Sequence, residues 1–259
     1  VRSGYDFYSN NAIRRTPRSI NSTRFWGGST SSKGGYYRND ENNGYSTTND
    51  FILMTDNKIG KFKIEGLVGG TIFYSKDKEF YAASKGGLVI PGFYSLRNAV
   101  EITANQEDKE LMRNSLYAKA SLDYDGKIFL DITGRNDWSS TLPKGDRSYF
   151  YPSASLSVIP SQMIKLPDWF SFWKVRGSWV VMKIALKPYQ TNIDYTTNTN
   201  VWDGMSTANY PTTIRGNVKA LTERTIELGT AMNFFKSRLK FDFTYFTRHE
   251  YNNSIERNV

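Results

Sequence analysis

Few residues in this sequence are equipped for chemistry. His249 is the only histidine and no cysteine is present. A His-based triad or a multi-His zinc site would have to rest on that one ring, and no thiolate site is available. Asp131, Asp137 and Glu227 could pair, but no spacing sets a general acid against a base. No phosphate-cradling glycine motif or metal-ligand cluster occurs. The sequence therefore predicts no enzyme, no metal and no cofactor, and lone carboxylates of this kind read as structural. Binding chemistry remains. Phe93, Tyr94, Trp138, Tyr149 and Tyr151 place rings in or beside polar connections, where such rings can stack on sugars or hydrogen-bond to peptide groups. Arg135 adds a cation. Loop packing is the plainer reading of the five aromatics, and a solvated or paired wall residue is the plainer reading of the cation.

The composition narrows the class. The chain has 259 residues, 39% hydrophobic and 15% aromatic, with a net charge of +9 from 34 basic and 25 acidic residues. Its mean hydropathy is −0.55. The basic residues are scattered and form no run, so nucleic-acid binding is not expected. No apolar run is long enough for a membrane-spanning helix. A transmembrane barrel, however, carries its apolar residues at every second position, where averaging hides them. Val1-Arg2-Ser3-Gly4-Tyr5 is not a signal peptide, and both ends read as cuts in a longer polypeptide.

The elements that position these residues are strands. Around residues 111–138, Leu116, Ala118, Ala120, Leu122 and Tyr124 fall on one face, with Tyr117, Lys119, Ser121 and Asp123 on the other. After Asp125-Gly126, a hairpin signal that suits φ > 0 at both central residues, Ile128, Leu130 and Ile132 oppose Asp131, Thr133 and Arg135. Each arm is about ten residues or more, the length of a tilted strand crossing a bilayer. Further strands are predicted over 44–59, 62–74, 149–158 and 170–181. A hairpin is predicted over 222–235 and 239–248. Residues 1–43, 75–110 and 183–221 read as long polar loops, the first with a short strand near 23–26.

Connections at 57–60, 125–126, 160–169 and 235–238 are short and alternate with longer ones at 75–110, 139–147 and 183–221. All long loops then leave one end of the sheet, as in outer-membrane barrels. Tyr74, Tyr124, Trp138, Trp169, Trp179, Phe234 and Tyr245 lie near segment ends, where a membrane interface would favour them. Lys61, Lys63, Lys119, Arg135, Lys174, Arg176 and Lys240 make the polar face basic.

The run Gly134-Arg135-Asn136-Asp137-Trp138-Ser139-Ser140-Thr141-Leu142-Pro143, followed by Tyr149-Phe150-Tyr151-Pro152-Ser153, resembles a signature of the SusC/RagA family of TonB-dependent outer-membrane transporters. Val175-Arg176-Gly177-Ser178-Trp179, Thr222 to Gly229, Phe234 to Leu239, Asp242 to Tyr245 and Leu88 to Tyr94 are similar to later or neighbouring family segments, in order over roughly residues 50–250. Val180 to Leu186 stays largely apolar where the family usually turns polar, and Ala220 stands where a Pro is common.

The resemblance implies an all-β fold: an antiparallel transmembrane barrel segment, with about eight long strands of a 22-stranded barrel inside residues 1–259. The plug domain and remaining strands would lie outside this chain. It implies a multi-pass outer-membrane location and import of oligosaccharides or peptides. A SusD-like surface lipoprotein would cover the mouth, and TonB would supply energy through the absent plug. Phe93, Tyr94, Trp138, Tyr149, Tyr151 and Arg135 become the substrate-binding candidates. The competing reading is a soluble surface β-domain that binds glycans. The two differ in whether the apolar strand faces point to lipid or are sandwiched in a core.

Overall fold

A computed structural model describes residues 1–18, 34–190, 196–197, 205, 208–209 and 219–253. Nine strands form one sheet in chain order: β1 (Arg2–Thr16), β2 (Tyr36–Ile59), β3 (Phe62–Leu88), β4 (Ala99–Tyr124), β5 (Ile128–Ser139), β6 (Ser148–Val158), β7 (Phe170–Ile184), then β10 (Leu221–Phe234) and β11 (Leu239–Tyr251). Between β7 and β10, the two-residue strands β8 (Thr196–Thr197) and β9 (Ala208–Asn209) pair with each other. Every pairing whose register is defined is antiparallel. No helix among the described residues is long and apolar enough to cross a membrane, which says nothing about crossing by strands.

The chain divides into two compact units. The first comprises residues 1–2, 49–73 and 112–259, the second residues 3–48 and 74–111.

In the first unit, register aligns side chains of one kind across strand after strand. Leu122, Leu130, Leu156, Gly177, Leu228 and Tyr245 form one row, and Ala120, Ile132, Ala154, Trp179 and Ile226 the next. A row of the other parity reads Ser121, Asp131, Ser155, Ser178 and Glu227. Because strand side chains alternate, the sheet acquires one apolar and one polar face without any single apolar run. The apolar face is uncovered: Leu116 is 56% exposed, Ile132 50% and Phe243 55%. Among the described residues the buried hydrophobics are only Ala82, Ala83, Leu88, Leu142, Tyr149 and Ala220. Among the described residues the strand faces therefore enclose no sandwiched core.

The short turns have the expected chemistry. Asp125 (φ 55°) and Gly126 (φ 67°) are both left-handed, and the Lys127 N–H closes the turn on the Tyr124 carbonyl at 2.9 Å. Pro160–Gln162 is a single 3-10 turn. Phe170 stacks on Trp169 and Phe234 beside the 159–169 and 235–238 connections, and Phe62 meets Tyr124 beside the other two short turns.

The second unit corrects the sequence reading. Residues 2–16 are a strand, and 75–88 and 99–110 continue β3 and β4, so the loop between them shrinks to 89–98. The count becomes nine strands in the sheet where about eight were expected. Tyr74 consequently falls inside a strand, and in the first unit Trp179 and Tyr245 also lie inside β7 and β11. The expected short strand at 23–26 and most of the 183–221 connection lie outside the described residues. In this unit both faces are largely polar, and the strands are laced by ion pairs such as Lys76–Glu110 at 2.6 Å and Lys109–Glu79 at 2.9 Å. The Lys76 ammonium is held above its ordinary range by its hydrogen bond to Glu110.

Candidate functional site

The polar face of the first unit carries its densest side-chain network where β4, β5 and β6 meet. Register sets Ser115 opposite Asp137 and Asp137 opposite Tyr149; one step along, Tyr117 faces Arg135 and Arg135 faces Tyr151. Arg135 Nε donates to Asp137 Oδ1 at 2.8 Å, its Nη2 donates to Ser115 Oγ at 2.9 Å, and the Tyr151 hydroxyl donates to Asp137 Oδ2 at 2.7 Å. Asp137 is 3% exposed, and a buried carboxylate is tolerated when both oxygens are engaged this way. The Arg135 guanidinium also lies 5.5 Å from the Tyr117 ring centre and 6.0 Å from that of Tyr151, within cation–π range.

Glycine spacing allows this arrangement. A Cβ on Gly69 would sit 2.6 Å from the Tyr117 ring, so the ring lies over β3 only because position 69 has no side chain. On the same unit's β2, Asp50 accepts from Arg2 Nε at 2.9 Å and from the Thr71 hydroxyl at 2.7 Å. Arg135 lies within electrostatic reach of Asp50. Tyr149 and Tyr151 stack with ring centres 6.0 Å apart. Tyr149 joins Leu142 and Ala220 in a small buried cluster against Ala185 and Leu186. The apolar stretch after Trp179 and the alanine at 220, the two departures from the family pattern, thus meet in one place.

Of the six residues singled out from sequence, the structure brings together Arg135, Tyr149 and Tyr151. Trp138 is next to Asp137 on β5 and points to the opposite, apolar face, where it is 42% exposed. Phe93 and Tyr94 belong to the second unit, in the β3–β4 connection. There the buried Asn98 side chain donates to the carbonyls of Ile90 at 2.8 Å and Phe93 at 2.7 Å. Sequence reasoning missed Ser115 and Arg113 on β4, Asp50 on β2 and Thr71 on β3. The signal for the β4 pair was present, since 113 and 115 continue the parity of Tyr117 and Lys119.

The other cations of the polar face are mostly paired. Lys63 meets Glu65 at 2.5 Å and Asp56 at 3.6 Å, Lys119 meets Asp131 at 3.6 Å, and Lys61 meets Asp125 at 3.8 Å. Side chains so arranged can hydrogen-bond and steer a polar solute without reacting with it.

Comparison with known proteins agrees with this geometry. The family model described as TonB dependent receptor-like, beta-barrel matches residues 1–259. TonB-dependent receptor P3 of Formosa agariphila is 23% identical over 192 residues, which is 72% of this chain and 18% of that protein. A solved structure of the RagAB peptide transporter superposes with a TM-score of 0.77 at 17% identity, covering 96% of this chain and 27% of that one. A structure of the RagAB peptide importer in its open-open state gives 0.74 at 17% identity, covering 95% and 27%. At that identity the likeness shows the fold, and the chain spans less than a third of each of these relatives. With the family model matched from the first residue to the last, the chain belongs to the TonB-dependent receptor-like β-barrels.

Proposed function

We propose that this chain is part of the barrel wall of an outer-membrane importer, with its apolar face toward lipid and its polar face toward a water-filled lumen. One observation carries the reading: the register-aligned apolar rows are uncovered, while the charged rows opposite them are hydrogen-bonded and partly buried. In water an uncovered face of this size would be a strong association hazard; in a bilayer it is the expected surface. The aromatic groups beside the short turns fit an interfacial girdle. The plug and the other strands that close the barrel belong to the polypeptide beyond residues 1–259, since open strand edges are not stable in lipid.

The cargo is a polar oligomer, an oligosaccharide or a peptide, received with a SusD-like surface lipoprotein and driven inward by TonB acting on the plug. The family membership supports the TonB coupling. The lipoprotein partner rests on the resemblance to the SusC/RagA family, and the likeness in fold to the RagAB peptide transporter supports a peptide as one form of the cargo. Arg135, Tyr149 and Tyr151, with Asp137 as their anchor, are the wall residues placed to meet cargo. Phe93 and Tyr94 stand as surface-loop contacts.

The test is the behaviour of the intact protein containing this chain. Recovery in the outer-membrane fraction, with detergent needed to keep it dispersed, is the expected result. A detergent-free soluble monomer would favour the glycan-binding domain instead.

A further inference from the structure

Arg113 sits on the same face as Ser115 and Tyr117 and is opposite Ser139 on β5. Its guanidinium lies 5.3 Å from the Phe73 ring centre. Its Nε is buried and has no hydrogen-bond partner among the described residues. The neighbouring carboxylates are already engaged, Asp137 by Arg135 and Tyr151, and Asp50 by Arg2 and Thr71. Arg113 and Arg135 both lie within electrostatic reach of the Tyr149 hydroxyl, which makes no hydrogen bond to the described residues. A buried guanidinium donor with no acceptor is costly unless an acceptor arrives. This place therefore combines a held planar cation, a free phenol and flanking rings, with one positive charge more than its carboxylates neutralise.

The geometry points to a docking point for a carboxylate on the transported molecule, held by Arg113 and the Tyr149 hydroxyl. Guanidinium forks match carboxylates in shape and charge. Phe73 and Tyr151 border the site with surface for the apolar part of a residue or the face of a sugar ring. The inference rests on the importer reading, because the carboxylate must travel along this face. The carboxylate could be a peptide terminus or a uronic acid, and the two are separated by experiment.

The experiment measures equilibrium binding to the complete transporter in detergent. One probe pair is a short uncharged peptide with a free C-terminal carboxylate and its C-terminal amide. The other is an oligosaccharide containing glucuronate and its glucose counterpart. In at least one pair the carboxylate form should bind the wild type more tightly. Arg113→Gln should weaken that form by about tenfold or more while leaving the neutral form unchanged. Arg113→Lys, which keeps the charge and loses the fork, should retain part of the preference. Discrimination in the peptide pair assigns a peptide terminus; discrimination in the sugar pair assigns a uronate. Wild-type protein that binds both members of each pair equally overturns the carboxylate site and leaves the importer reading standing. So does Arg113→Gln protein that keeps the wild-type preference, or loses charged and neutral forms alike. Wild-type protein that binds none of the probes overturns the carboxylate site as well, while the importer reading falls only if the intact protein proves a detergent-free soluble monomer.

Discussion

The Arg176 guanidinium reaches from β7 across β10 and grips Asp242 on β11, with Nη2 2.6 Å from Oδ1 and Nη1 3.1 Å from Oδ2. Nη2 also donates to the Thr244 hydroxyl at 2.7 Å. The strand crossed carries Gly229 at that point, where a Cβ would lie 2.7 Å from Arg176 Nε. The pair is exposed on the polar face, and water weakens such contacts. Its effect is to fix the relation of three strands, more than to add to overall stability. Gly229→Ala and Asp242→Asn should therefore behave alike. Each should raise amide hydrogen exchange in β11 with little change in global unfolding. Rapid exchange in one variant and wild-type protection in the other would separate the glycine from the ion pair.

The two faces should respond oppositely to charge. Leu130→Arg or Phe243→Arg would place a guanidinium in hydrocarbon and should cost about 2–4 kcal/mol near the bilayer midplane. Thr133→Arg and Thr244→Arg, on the polar face, should cost much less. Denaturant titration of the intact protein folded in lipid measures the difference.

Asp137 should prove the keystone of its network. Tyr151→Phe removes one hydrogen bond to a charged acceptor and should cost about 1.5–3 kcal/mol. Asp137→Ala leaves both Arg135 and Tyr151 without their acceptor and should cost more. A double-mutant cycle on Asp137 and Tyr151 should show strong coupling, since both act through one carboxylate.

How far the sequence discloses the fold depends on what surrounds each strand. The 116–138 hairpin and the 222–248 hairpin are legible because each has an apolar face, and period-two alternation reports that face directly. Residues 2–16 and 75–88 leave no such trace. Arg-Ser-Gly-Tyr-Asp-Phe-Tyr-Ser-Asn-Asn mixes polarity at both parities because the strand is exposed along almost its whole length. Backbone pairing and side-chain contacts such as the Tyr8 hydroxyl donating to Asp77 at 2.9 Å hold these strands instead. In the site, Arg135, Tyr149 and Tyr151 were legible as polar-face residues of adjoining strands. That Trp138 lies on the opposite face was legible too, from its parity against Arg135. That Asp137 joins Arg135 to Tyr151 depends on the β5–β6 register, which local sequence does not reveal.

The Asp125-Gly126 turn offers a test by geometry and by pH. Gly126→Val forces a branched side chain into a left-handed conformation and should cost about 1–2 kcal/mol. Asp125→Gly should be tolerated by the backbone. The Lys127 ammonium, hydrogen-bonded to Asp125 at 2.5 Å, holds that carboxyl below its ordinary range. A depressed folded-state value means the contact is fully formed at neutral pH and lost on acidification through the carboxylate range. Exchange at the Lys127 amide should accordingly rise, relative to a remote reference amide, as the pH falls through that range. The Asp125→Gly variant should lack that step.

The direction in which the apolar rows face can be read with spin labels. This chain has no cysteine of its own, so single labels at Leu116→Cys, Ile132→Cys, Leu156→Cys and Phe243→Cys can be compared with Ser121→Cys, Thr133→Cys, Ser155→Cys and Thr244→Cys. The host is the intact protein in lipid, free of other cysteines. Relaxation by oxygen, which partitions into the bilayer, and by a water-soluble nickel chelate should divide the labels by parity, the first set responding to oxygen and the second to nickel. Equal access of nickel to both sets would contradict a lipid-facing apolar surface.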